Sequence, residues 1–178
     1  MNVTQKLMDE HQLILKYIDL LAQYCDRAQA QGDVSILNSK LGTFVDFIVS
    51  FADAYHHGKE EDVLFAYLGK PGVLTHCNPV QQMLHEHDLG RKFLQGMKQA
   101  GEQAALTALV ENARAYGELL SQHIQKEDRI LYRMAEQSLS DQQKGEILEA
   151  YQRAEEKFGG AALQARFEKE FNALMSSL

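Results

Sequence analysis

The sequence predicts an all-α protein: an up-down-up-down four-helix bundle over residues 1–136, with a C-terminal helical extension over residues 137–178 that packs on the bundle. Three observations favour this class. Apolar residues recur at helical spacing in four long stretches, no stretch of useful length alternates as a strand does, and proline occurs only twice. The connections between the four stretches are short enough for antiparallel neighbours, and a bundle is the simplest arrangement of such helices.

The helices can be followed from their apolar stripes and from the residues that start and stop them. The four long ones are predicted over residues 3–29, 36–68, 80–100 and about 103–135. Thr4 is expected to cap the first helix and Asn78 the third. In the extension, Ser140 is expected to open a shorter helix, which Gly159 and Gly160 interrupt before a last amphipathic stretch.

One motif occurs twice, in the second and fourth predicted helices, as HHGKEEDVLF and HIQKEDRILY. When the copies are aligned at His56 and His123, Glu60 falls on Glu127, so each copy has a histidine with a glutamate four residues further on. On a helix these two side chains lie one turn apart on the same face. An imidazole and a carboxylate placed in this way can share one metal ion or span two, and two such pairs on facing helices would supply four ligands.

Polar residues lie on the core-facing stripes of all four long helices. They are His11, His56, His57, Glu60, His87, His123 and Glu127. A lone buried histidine is more often a hydrogen-bonded core residue than a ligand. Burying several imidazoles and carboxylates in one core is costly, however, unless metal ions neutralise and bind them. Imidazole and carboxylate ligands without a thiolate suit iron, manganese or zinc.

The second helix contains an ambiguity, because His57 and Glu61 have the same spacing as His56 and Glu60. The alignment of the two motif copies pairs Glu60 with Glu127, so Glu60 is the preferred ligand. Glu61 is then expected to lie outside the ligand set, either behind the ligands or at the surface.

These residues and their spacing resemble the hemerythrin-like family, also called the HHE cation-binding domain family. The resemblance covers about residues 3–135 and includes the Glu10-His11 pair and the string EHDLGR, which begins at Glu86. It implies a four-helix bundle holding a non-haem di-iron centre, with two iron ions that are oxo- or hydroxo-bridged when oxidised. By the family pattern, the histidine ligands match His11, His56, His87 and His123, and the bridging carboxylates match Glu60 and Glu127.

The third helix departs from the family pattern. Oxygen-carrying hemerythrins have two histidines four residues apart on this helix, whereas the positions on either side of His87 hold Met83 and Arg91. His57 of the second helix is therefore expected to supply the fifth imidazole.

The resemblance implies a protein that binds or senses O₂ or NO at the di-iron centre. The alternative is an enzyme or iron donor: a di-iron oxidase, a peroxide-consuming protein, or a protein of iron–sulfur repair and iron homeostasis. A second alternative is a structural bundle with zinc or no metal. The sequence shows no acid–base or thiol relay that would favour turnover, so a metal- and gas-binding protein is preferred to an enzyme.

Charge and composition bear on partners and location. The formal net charge is -7 with no basic cluster, which argues against nucleic acid and anionic membranes as partners. No signal peptide or apolar stretch long enough to span a bilayer is expected, and Cys25 and Cys77 do not form a disulfide framework. These features favour a cytoplasmic protein. The extension either covers the bundle or forms a homodimer interface, and the sequence leaves both open.

Overall fold

The computed structural model describes residues 1–178, which form six helices and no strand. The helices are α1 (Gln5–Gln31), α2 (Val34–Leu68), α3 (Val80–Glu102), α4 (106–138), α5 (Asp141–Phe158) and α6 (Gly160–Ser177). Helix α1 packs against α2 and α4, and α3 packs against the same two helices, so that α1–α4 close a ring around one interior. The predicted all-α helical bundle is confirmed.

The helices begin and end at glycine and capping residues close to them in the chain, although one predicted cap was wrong. Gly32 ends α1 in the left-handed conformation, at φ 63°, which glycine adopts without strain. Ser140 opens α5 with a capping box, as the sequence predicts. The predicted cap by the Thr4 side chain was wrong. The Asn2 side chain takes this role, because its Oδ1 accepts a hydrogen bond of 2.8 Å from the backbone N–H of Gln5.

Helices α2 and α4 change to the wider π-helical winding at the two copies of the motif. The wide turns cover Phe47–His57 and Glu60–Leu64 in α2, and Glu127–Leu131 in α4. Such turns are rare and occur often at functional sites. The regular α-helical geometry that the spacing argument assumed therefore does not hold there, although each histidine remains beside its glutamate.

The interior consists of two apolar clusters with a polar layer between them. One cluster contains Ile14 of α1 and Phe51 of α2, and the other contains Leu7 of α1 and Leu64 of α2. The buried histidines of each long helix lie at the level between the clusters, as His11 does between Leu7 and Ile14. Hydrophobic burial on both sides thus stabilises helices that also carry buried polar side chains.

The two C-terminal helices lie on this bundle. The hydroxyl of Tyr17 in α1 donates a hydrogen bond of 2.7 Å to the carbonyl of Phe167 in α6. The hydroxyl of Tyr24 donates one of 2.8 Å to the carbonyl of Leu174. Ile147 of α5 is fully buried in the cluster that contains Leu7. The apolar faces of α5 and α6 are therefore used for packing within the chain.

Helix α2 is long and apolar enough to cross a membrane by length and composition alone, with a mean hydropathy of 1.3 over 18 residues. This differs from the sequence-based expectation that no stretch is apolar enough over that length. A buried core helix passes the same test, and α2 places Phe44, Phe51 and His56 in the bundle interior with at most 1% exposure. One helix of this kind is weak support for a membrane span.

Candidate metal centre

The seven polar residues singled out from the sequence lie together in the layer between the apolar clusters. They form two groups, which we call site A and site B. Site A consists of His57, Glu60, His87 and His123, and site B consists of His11, His56, Glu60 and Glu127. Within each site the potential ligand atoms all lie within 4.8 Å of one another, and every member is buried. Either site can therefore hold a metal ion.

The two carboxylates lie between the imidazoles of the two sites. Glu127 Oε1 is 3.2 Å from Nε2 of His123 in site A, and its Oε2 is 3.4 Å from Nε2 of His11 in site B. Glu60 Oε2 is 3.6 Å from the Nε2 atom of one histidine in each site. Carboxylates placed between two groups of imidazoles can bridge two metal ions, as they do in dinuclear helical-bundle sites.

Several of these buried atoms lack a hydrogen-bond partner within the protein. They are Nε2 of His56, Oε2 of Glu60 and both carboxylate oxygens of Glu127. A buried polar atom left unpaired costs about 1–3 kcal/mol, and a charged group costs more. Because these atoms all face sites A and B, cations there would satisfy them. The residues present therefore fit metal binding.

Four histidines are held by carboxylates on the side of the ring that faces away from the site. In each case the ring Nδ1 donates a hydrogen bond to a carboxylate oxygen. The pairs are His56 to Glu10 at 2.8 Å, His123 to Glu86 at 2.9 Å, His11 to Asp128 at 2.8 Å and His87 to Glu61 at 2.7 Å. An ionised carboxylate only accepts hydrogen bonds, so Nδ1 carries the proton and Nε2 faces the site. Metal-ligating histidines are commonly held by carboxylates in this way.

These carboxylates follow the internal repeat. Glu61 and Asp128 occupy equivalent positions in the two motif copies, and Glu10 and Glu86 each precede the site histidine of α1 or α3 by one residue. The α1–α2 and α3–α4 halves therefore supply equivalent partners to equivalent histidines. These roles of Glu10 and Glu86 were not predicted from the sequence, although a Glu-His pair in both helices was the available signal.

The part of the chain that builds this layer also matches a protein-family model. Residues 2–135 match the hemerythrin HHE cation binding domain. The chain belongs to this family. Comparisons with curated proteins and with solved structures gave no match. Family membership and the histidine and glutamate groups agree that this is a metal-binding protein. Helices α5 and α6 lie outside the matched hemerythrin domain.

The geometry separates the two candidate glutamates of the second helix of the hemerythrin domain. Glu60 is fully buried and belongs to both sites. Glu61 belongs to neither site, and its side chain is 25% exposed. Its Oε1 accepts hydrogen bonds from Nδ1 of His87 and, at 2.6 Å, from Arg91. Glu61 thus holds a site histidine from behind, as expected from the alignment of the two motif copies.

His57 lies in site A beside α3, the helix that lacks the second histidine of the family pattern. Its ring stacks on His87 with centroids 3.8 Å apart, and its Nδ1 is 3.3 Å from an oxygen of Asp53. The two α3 positions that carry no histidine have other contacts. Met83 is buried in the cluster that contains Leu7, and Arg91 pairs with Asp53 and Glu61.

Tyr132 contacts the site and was missed in the sequence analysis. Its hydroxyl donates a hydrogen bond of 2.5 Å to Glu60 Oε1 and lies 3.5 Å from Nε2 of His11. Its ring stacks on His11 with centroids 5.6 Å apart. Phe65, its counterpart in the other motif copy, stacks on His87 at 5.9 Å but has no hydroxyl. In the sequence, the clue to this role was the hydroxyl group by which Tyr132 differs from the aligned Phe65.

Burial and neighbouring charges shift the pKa values of the hemerythrin-domain ligands in opposite directions. Burial raises the pKa of Glu60 well above its usual range, and repulsion from Glu127 adds to this. Burial, with the charge of His87, lowers the pKa of His57 to about 3. Hydrogen bonds to Asp128 and Glu127 raise the pKa of His11 to about 9, although burial opposes them. A metal ion bound by Glu60 and His11 would therefore compete with protons for both side chains.

A small cavity adjoins site A. It has a volume of about 10 Å³, which is room for roughly one water-sized molecule. Its wall includes His57 and His87, and the apolar part of the wall is formed by Ile48, Leu94 and Leu120. The cavity therefore offers space for about one water-sized molecule beside two histidines of site A.

Proposed function

We propose that this hemerythrin-domain protein holds two iron ions in a non-haem centre that binds or senses O₂ or NO. The observation that carries the proposal is the unequal supply of ligands. Site A has three imidazoles and site B has two, while Glu60 and Glu127 lie between the sites. Iron takes about six donors in such environments, so site B has more positions open to a small molecule.

The residues around the sites support this role. The carboxylates behind the rings fix the orientation of the imidazoles before any ligand arrives, which is the usual task of such partners. The apolar clusters on both sides of the layer limit the access of bulk water. Iron, when bound, supplies a redox-active centre to which a diatomic molecule can attach. Tyr132 adds a hydroxyl at the edge of site B, 3.5 Å from His11 Nε2.

The choice of iron rests on the donor set and the family. The two sites offer only imidazole and carboxylate, and the cysteines are elsewhere: Cys25 is buried in an apolar cluster and Cys77 is exposed. A set without thiolate favours iron over the zinc of closed structural sites, which commonly contain cysteine.

Metal analysis with spectroscopy tests the proposal. Protein purified from iron-replete cells is expected to contain about two iron atoms per chain, and the optical spectrum of the reduced protein should change on addition of NO or O₂. Stoichiometric zinc without iron would contradict the di-iron assignment. A spectrum that neither gas changes would contradict the gas-binding role.

Two histidines of α3 provide a matched pair for this experiment. His87 is buried in site A, whereas His85, two residues earlier, is exposed. His87→Ala is expected to lose iron, and His85→Ala is expected to retain both ions. Rapid turnover of peroxide by the wild-type protein, or transfer of its iron to an acceptor, would instead identify the enzyme or the iron donor.

A further inference from the structure

The strongest feature outside the two sites is a buried charged cluster that joins the C-terminal extension to site B. Lys59, between the two ligand positions of the first motif copy, is only 1% exposed. Its ammonium group donates to Glu10 Oε1 and, at 3.2 Å, to Glu155 Oε1 of α5. It also lies 3.7 Å from the centroid of the Tyr55 ring. An ammonium group buried so deeply needs these partners, because each missing one leaves a desolvated donor.

The cluster continues from Lys59 to a site histidine. Glu10 uses one carboxylate oxygen for Lys59 and the other for Nδ1 of His56, at 2.8 Å. Glu155 is held in turn by the Tyr55 hydroxyl and by Lys6 at 2.6 Å. A continuous series of hydrogen bonds and ion pairs therefore runs from α5 through Lys59 and Glu10 to the ring of His56.

The other half of the repeat lacks this connection. There the equivalent lysine, Lys126, donates to Glu86, which accepts from Nδ1 of His123. The Lys126 side chain is 38% exposed, and Glu86 is its only carboxylate partner. Lys126 is thus partly open to solvent, whereas Lys59 is buried and paired with Glu155 of α5. The extension breaks the symmetry of the repeat on the side of site B alone.

Gly160, at the turn between α5 and α6, shows that this contact is built closely. A Cβ atom at Gly160 would lie 2.7 Å from the Tyr55 hydroxyl and closer still to the Glu155 carboxylate. A side chain at position 160 would therefore have to displace the Glu155 carboxylate and the Tyr55 hydroxyl. By contrast, Gly145 of α5 has no atom within 4 Å of the corresponding position.

We propose that the C-terminal extension is a working part of the metal centre: Glu155 positions Lys59 and Glu10 so that His56 is held ready for a metal ion, which strengthens binding at site B and not at site A. Glu155 is a positioning residue, because it touches neither site. The inference rests on the proposed function only in requiring that both sites take a metal ion.

Anaerobic calorimetric titration of the metal-free full-length protein with Fe²⁺ tests this inference. Partners behind metal ligands typically contribute 10–100-fold to affinity, and Glu155 lies two contacts beyond the partner Glu10, on the far side of Lys59. Glu155→Ala is therefore expected to weaken one of two binding steps by roughly threefold to tenfold and to leave the other unchanged. Glu156→Ala is the matched control, since Glu156 is exposed on the same helix and bonds only Gln152.

Ligand variants assign the weakened step. In a His56→Ala protein, the remaining step should not respond to Glu155→Ala, because the connection already ends at Glu10. In a His57→Ala protein, which lacks a site A imidazole, Glu155→Ala should retain its full effect. Equal weakening of both steps, or an effect that persists without His56, would show a general structural role and overturn the inference.

A second pair of variants tests the same contact if the Glu155→Ala protein does not fold. Gly160→Ala is expected to displace the Glu155 and Tyr55 pair and to weaken the same step, whereas Gly145→Ala should not. If wild-type protein binds no Fe²⁺, the proposed function and the inference fail together. If it binds two ions and both Glu155→Ala and Gly160→Ala bind them as tightly, the inference alone fails.

Discussion

Replacing Glu60 by glutamine tests which carboxylate of the motif binds metal, and Glu61→Gln is the matched control one residue away. Glu60 is fully buried, and its Oε2 has no partner in the protein. Glu61 is partly exposed and bonds His87 and Arg91. The two substitutions make the same chemical change, so a difference in metal affinity reports the place of each carboxylate.

The expected magnitudes follow from these contacts. Glutamine at position 60 removes an anionic oxygen that faces both sites, so the affinity for Fe²⁺ should fall by at least about 100-fold, or about 2.7 kcal/mol. Glutamine at position 61 can still accept the hydrogen bond from His87. Its loss of affinity should remain near tenfold, about 1.4 kcal/mol.

The stability of the metal-free protein should show a different pattern. Burial and repulsion from Glu127 raise the pKa of Glu60 and so favour its protonated form in the metal-free protein. Glutamine resembles a protonated glutamate in size and hydrogen bonding. The free energy of unfolding of metal-free Glu60→Gln should therefore stay within about 1 kcal/mol of wild type.

Calorimetric titration with Fe²⁺ and urea denaturation of the metal-free variants provide the two measurements. Strong loss of binding in Glu61→Gln with wild-type binding in Glu60→Gln would show that the register of the motif is wrong. A large loss of metal-free stability in Glu60→Gln would show that the carboxylate is ionised without metal, against the direction of its pKa shift.

Two further predictions concern the metal-free protein. Tyr132→Phe leaves Glu60 Oε1 without its donor and should lower the free energy of unfolding, measured by urea denaturation, by about 1–3 kcal/mol. Tyr67→Phe removes a hydrogen bond to Glu146 nearer the surface and should lower it by less. Equal effects of the two substitutions would refute this role of the Tyr132 hydroxyl. The pKa values of His11 and His123 are raised to about 9 and about 10. The protonated histidines therefore contribute stability that is fully present below pH 6.5 and is lost as the pH rises to about 10. The midpoint of thermal unfolding should fall across that pH range, and a constant midpoint would contradict the prediction.

The fold could be predicted from the sequence because helical periodicity is a local property. The apolar stripe of α2 continues through His56 and Glu60, and this continuity indicated that the polar residues face the interior. The alignment of the two motif copies also favours Glu60 over Glu61 as a metal ligand, and this assignment stays a prediction. The π-helical turns at the motif leave no comparable signal in the spacing, because a turn of either width keeps a histidine close to a glutamate four residues on.

The contacts that the sequence could not predict join residues far apart in the chain. Glu155 meets Lys59 across 96 positions, and the Tyr132 hydroxyl meets Glu60 across 72. No periodicity relates such pairs, since their contact depends on how the helices pack. Thr4 shows the same limit at short range: its residue type suits a cap, but the nearby Asn2 side chain reaches the free N–H groups instead.

The differences between the two halves explain how a duplicated motif gives two unequal sites. With perfect symmetry, each site would receive two imidazoles and a share of both carboxylates. His57 stands where the other copy has Ile124, which adds an imidazole to site A alone. Tyr132 stands where the other copy has Phe65, which adds a hydroxyl that donates to the shared Glu60 and lies 3.5 Å from His11 of site B. The contact of α5 with Lys59 also falls on the side of site B. Site A thus has one more imidazole than site B, and site B has the support that α5 covers. Under the proposed function, the smaller number of imidazoles leaves more coordination positions for a small molecule at site B.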